Sequence, residues 1–178
     1  MLAALGQSSL IRLVPVGMIL LALQRTVFVD LQAGGVIIQI VLAFVATAGA
    51  VGGSERGAVA GFTLGMMFDL IEGTPLGSTA IAFTIAGIVA GLLALISADP
   101  PWWLLGLGVL LGSAAGEAMV PVVRLFTGEE DPWPPEMVTI VVVVAVSSAI
   151  LTPVFVPLAR WCLRVRGPEW KAPIDDPT

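Results

Sequence analysis

The stretch GAVAGFTLGMMFDLIEGTPLG, Gly57 to Gly77, decides how the rest of this chain is read. Gly57, Gly61, Gly65, Asp69 and Gly73 recur at every fourth position. On a helix that spacing makes one inclined ridge nearly bare of side chains, against which a second helix can lay its backbone. A carboxylate then interrupts an apolar segment, and an acid at membrane depth costs about 2.5–3.5 kcal/mol unless it is paired or hydrated. The residues Glu72-Gly73-Thr74-Pro75 read as a tight break between two helices. Gly73 suits the left-handed position that ends the first, Thr74 suits a cap for the next, and Pro75 suits its first turn, followed by Leu76 and Gly77.

Composition fixes the solvent. Of 178 residues, 57% are hydrophobic and 12% charged, and the mean hydropathy is +1.01. A soluble domain carries about 25% charged residues, so the chain reads as an all-α integral membrane protein. There is no His, which removes imidazole zinc sites, Ser-His triads and His proton relays. The single cysteine, Cys162, allows neither an internal disulfide nor a thiolate cluster and reads as an inert packed thiol. The net charge of −5 comes from short clusters, Glu129-Glu130-Asp131 with Glu136 and a tail with Glu169, Asp175 and Asp176. No basic stripe with interleaved aromatics supports nucleic-acid binding. No catalytic, metal-binding or cofactor-binding residue is expected.

Gly, Pro and charge punctuation divides residues 1–166 into six spans, about 10–29, 36–51, 57–71, 76–96, 104–126 and 137–163. The first lacks a cleavage site where one is needed and reads as retained. The third, about 22 Å long at 1.5 Å per residue, reads as shorter than the hydrocarbon core of about 30 Å. Gly108, Gly112 and Gly116 form a second ridge on the fifth span, with Glu117 beside them and Pro121 as a kink. Pro153 and Pro157 bend the sixth. Residues 167–178 read as a disordered tail. Trp102, Trp103, Trp133 and Trp170 are expected as interface anchors.

Six spans put Arg12, Arg56, Arg160, Arg164, Arg166 and Lys171 on one side and Arg25 and Arg124 on the other. Six cations against two place both termini in the cytoplasm and the Asp69–Pro75 break toward the outer face.

The segment Gly61 to Gly91 resembles the signature region of the MreD family of rod shape-determining proteins. That pattern runs G-F-x-x-G-hydrophobic-x-x-D, a short linker, then P-L-G-x-x-A-L. Gly61, Phe62, Gly65, Asp69, Pro75, Leu76, Gly77 and Ala80 match it, while Ile81 replaces the Leu. Gln24 near the end of the first span and the six-span layout agree in outline. The resemblance implies a non-enzymatic scaffold subunit of the bacterial elongation complex in the inner membrane. It implies association with MreC, and through it with the MreB filament and with RodA and a class B penicillin-binding protein. It also implies a fold similar to the S components of energy-coupling factor transporters. The acidic loop 129–136 and the Pro-bearing sixth span have no counterpart in the pattern.

Asp69 is the sharpest single residue. It stands at a helix C-terminus, where the macrodipole disfavours an anion. Free amides around Gly77 and Ser78, or Arg25 or Arg124, are the candidates to offset it. Its readings are a lock on the turn, a partner or ligand contact, or proton transfer. Glu117 reads as a structural pair with Arg124 or as a polar site. The glycine ridges read as internal packing or as a dock for a single-span partner such as MreC. The competing function is a small-molecule-binding subunit of the S-component type, with a polar cavity made by Asp69, Glu117, Gln24 and Arg25.

Overall fold

A computed structural model of the chain describes residues 10–27, 32–33, 35–96, 100–126, 128 and 133–164. The expected tail 167–178, the acidic Glu129–Asp131 and Trp170 lie outside the described residues. The fold is all-helical apart from one minute hairpin. Its helices are α1 (Leu10–Thr26), α2 (Ile40–Gly52), α3 (Ser54–Glu72), α4 (Ser78–Gly91, continued by a 3-10 turn Leu92–Leu95), α5 (Trp102–Phe126) and α6 (Met137–Leu163). The hairpin pairs β1 (Gln32–Ala33) with β2 (Val36–Ile37) antiparallel, Gln32 facing Ile37 and Ala33 facing Val36.

α2 is the pillar of the molecule. Every residue from Ile40 to Ala50 is buried, and α3, α4, α5 and α6 pack around it, which suits a helix apolar on all sides. Phe44 meets Phe155 of α6 edge to face at 5.8 Å. The other helices bury one stripe each. On α6 it runs through Val144, Ser148, Thr152, Phe155, Ala159 and Cys162, and the outward positions are large and apolar, including Val142, Ile150 and Val154.

Four of the expected spans begin elsewhere, among them the fifth, which begins at Trp102 and not 104. The second span begins at Ile40 and not 36, because the β-branched pair Val36-Ile37 follows Gly35 (φ 83°) into the hairpin. The third begins at Ser54, because only Gly53 (φ 86°) leaves the helical path; its amide closes α2 onto Gly49 O and its carbonyl opens α3 by accepting Gly57 N. α3 is thus 19 residues, about 28 Å, and the short helix is α2 at 13 residues, about 20 Å. The fourth begins at Ser78 and ends its α-helix at Gly91.

α5 and α6, 25 and 27 residues long, are each long and apolar enough to cross a membrane. The sixth matches its expected boundaries, and the opening β-branched run is helical.

Candidate functional site

The polar groups expected from sequence gather at one end of the bundle, where α1, α3 and α5 finish and α2, α4 and α6 begin. The α3–α4 hairpin is built first by its bare ridge. Cβ atoms placed on Gly57, Gly61 and Gly65 would overlap the backbone of Gly87, Phe83 and Ala80 on α4. Cβ atoms on Gly112 and Gly116 would likewise crowd Ala82, Ala86 and Ala90 of α4, and one on Gly108 would meet the Leu93 side chain. Both ridges are therefore filled by the chain's own helices, and a partner helix has to use another face.

Asp69, 1% exposed, closes the hairpin. Its Oδ1 accepts the Thr74 hydroxyl (2.7 Å), the Thr79 amide (3.1 Å) and the Ser78 hydroxyl (3.3 Å). Its Oδ2 accepts the amides of Gly77 (2.8 Å) and Ala80 (3.4 Å). Ser78 N donates to Pro75 O and Ile81 N to Gly77 O, both at 3.0 Å. Every amide from Gly77 to Ile81 has an acceptor, so the orphan donors of the α4 N-terminus are fully used.

This settles which group offsets the acid: the amides at the start of α4 do so, and Arg25 does not. Arg25 instead forms an ion pair with Glu72 on the outside of the bundle. The expected roles of Thr74 and Pro75 are corrected too. Gly77 holds the N-cap position with φ 94° and no side-chain cap of its own; Thr74 serves Asp69, and Pro75 lies ahead of the helix. Gly73 does take the left-handed end of α3, with φ 70° and its amide on Asp69 O. Leu76 projects outward, 67% exposed.

Gln24 works in the same manner on a second helix. Buried on α1, it accepts the Val41 amide at 3.1 Å through Oε1 and so caps α2. Gln39, the N-cap residue of α2, donates through Nε2 to Glu117 Oε2 at 3.0 Å. Arg124 acts on Glu117 by charge attraction, so the acid has two partners, of which sequence reading named one.

Between α4, α5 and the Thr74–Pro75 turn lies a cavity of about 550 Å³. Gln39, Thr74, Ser78, Thr79, Glu117 and Arg124 supply its polar groups and Phe68 and Phe83 an apolar wall, the two rings meeting at 5.7 Å. Of the four residues expected to form such a cavity, only Glu117 lines it. Asp69 stands behind the wall and fixes three lining residues, Thr74, Ser78 and Thr79. Gln24 and Arg25 lie elsewhere. Gln39 and the three hydroxyl residues were missed; a lone amide just before an unbroken apolar run was the available signal for Gln39. Chemically the cavity offers one carboxylate, one guanidinium, one amide and three hydroxyls, a hydrogen-bonding set.

At the opposite end, Arg12 donates to Trp161 O at 3.1 Å and stacks 4.9 Å from its ring centroid. Cys162 is free and fully buried.

Comparison with family models, curated proteins and solved structures gives no match to this chain.

Proposed function

We propose that the chain is a six-span, non-enzymatic subunit of the bacterial cell-wall elongation complex, a scaffold in the inner membrane that binds MreC and through it links the cytoskeletal filament to the peptidoglycan synthases. The observation that carries this reading is the α3–α4 hairpin. Five of the eight residues by which the sequence resembles the MreD signature act there as one device, while Phe62 and Leu76 face outward. Gly61 and Gly65 admit α4, Asp69 caps it, and Pro75 and Gly77 supply a carbonyl and an amide to the same junction.

Six spans are supported by an inverted distribution of side-chain size. Gly and Ala make the closest α3–α4 and α4–α5 approaches, while Ile11, Met18 and Ile19 of α1, Phe62 and Leu70 of α3, and Ile81 and Ile88 of α4 face outward. Water disfavours that surface and lipid accepts it. The cation count then orients the polar end, with Asp69 and the cavity, toward the outer face and both termini toward the cytoplasm.

The second reading, a small-molecule-binding subunit of the S-component type, is favoured by the cavity near Glu117, whose volume lies in the range of ligand sites. Purification of the full chain from native bacterial membranes separates the two. The scaffold reading predicts co-purification of a single-span elongation partner with the wall synthases. Recovery of a vitamin-sized molecule without those proteins supports the other and contradicts the first.

A further inference from the structure

On the far side of the bundle from the polar cavity, a groove of about 650 Å³ runs between the first half of α5 and the second half of α6. Leu105 and Leu110 line it on one side and Val146, Ile150 and Val156 on the other. A Cβ on Gly106, in its floor, would meet nothing within 4 Å. One end is different in kind. There Arg160 lines the groove half-buried, and its guanidinium has no hydrogen bond or ion pair with another described residue. Trp102 and Trp103, both exposed, stand at the same end.

We infer that this groove is a binding site for one anionic phospholipid, with an acyl chain along α5 and α6 and the phosphate on Arg160. A partly buried cation without a counter-ion is costly, and a planar guanidinium matches a phosphate in charge and geometry. The 14 residue-to-residue steps from Val146 to Arg160 along α6 rise about 21 Å, which is one leaflet with its headgroup layer. Indoles at the charged end sit where headgroups meet hydrocarbon. Cation, apolar trough and interfacial rings thus fall in the order of a lipid's own parts. The inference rests on the two long apolar helices and is independent of any role in wall synthesis.

The test uses the full chain in detergent, titrated with dioleoyl phosphatidylglycerol or dioleoyl phosphatidylcholine and read by native mass spectrometry. One phosphatidylglycerol is expected to remain bound per chain, about fivefold tighter than phosphatidylcholine, the gain of one interfacial cation. Arg160→Gln is expected to erase that preference. Gly106→Phe, which fills the trough and leaves the cation, is expected to weaken both lipids. Equal binding of the two lipids by the unaltered chain would overturn the inference, as would retention of the preference in Arg160→Gln. If removing residues 165–178 raises lipid occupancy severalfold, the groove belongs to the chain's own tail and the inference also fails. Should Arg160→Gln not fold, the two-lipid comparison and Gly106→Phe still decide it.

Discussion

Asp69 Oδ2 accepts the amide hydrogen of Gly77 at 2.8 Å, eight residues further along the chain. An acid in the last turn of one helix therefore acts as the N-terminal cap of the next. The macrodipole of α3 works against the carboxylate and that of α4 works for it, and five donors decide the balance.

Asp69→Asn keeps the shape and removes the charge. One amide nitrogen must then face backbone N–H donors that have lost their acceptor. The expected loss is about 2–3 kcal/mol, a fall of about 5–10 °C in melting temperature for a chain of this size. Thermal unfolding of the purified chain in detergent measures it, and an unchanged melting point would show that the five bonds do not hold the hairpin.

Gly61 and Gly106 make a matched pair. A side chain at Gly61 meets the backbone of Phe83 and Thr84, which cannot rotate away, whereas one at Gly106 meets open space. Gly61→Ala is expected to cost about 1–3 kcal/mol through overpacking. Gly106→Ala is expected to be neutral or slightly stabilising, as Ala favours the helix by up to about 1 kcal/mol. Equal melting points for the two variants would contradict the packing described here.

Gln24→Leu strips the acceptor from the buried Val41 amide while filling similar volume. An orphaned buried donor costs about 1–3 kcal/mol, and protection against hydrogen exchange should fall first at the start of α2. Loss confined to α1 would assign Gln24 a local role instead.

Arg25 and Glu72 supply the contrast. Their ion pair lies on the outside, with the Arg25 side chain 51% exposed, and an exposed pair contributes about 0–1 kcal/mol. Arg25→Ala should shift the melting temperature by no more than about 3 °C, several-fold less than Asp69→Asn. A larger fall would make Arg25 part of the lock.

Much of the fold was legible because Gly, Pro and charge punctuate the sequence where helices end. α6 emerges with the boundaries that its composition suggests, since Glu136 and Arg164 flank an apolar run whose one charge, Arg160, falls in the last turn. The α3 start was misplaced because Gly52-Gly53-Ser54-Glu55-Arg56 carries the composition of a loop, yet a single positive φ at Gly53 is enough to change direction. The site was legible in its anchor and not in its lining. Asp69 announces itself as an acid in apolar sequence, and the amides that receive it were foreseeable. Gln39, Thr74, Ser78 and Thr79 look like ordinary polar residues, and only the crossing of α2, α4 and α5 gives them a common cavity. Thr74 was assigned to its nearest helix terminus, but a carboxylate five residues upstream is the stronger acceptor.

The central claim is a bundle that crosses the membrane with its polar end outward, and single-cysteine labelling in intact cells tests it most directly. The native Cys162 is fully buried and should stay silent, while Glu55→Cys in the first turn of α3 and Leu76→Cys just past its last turn place exposed thiols at opposite ends of that helix. A membrane-impermeant maleimide is expected to label position 76 in intact cells and position 55 only after permeabilisation. Labelling of both positions from the same side, or recovery of the chain in the soluble fraction, would contradict the account.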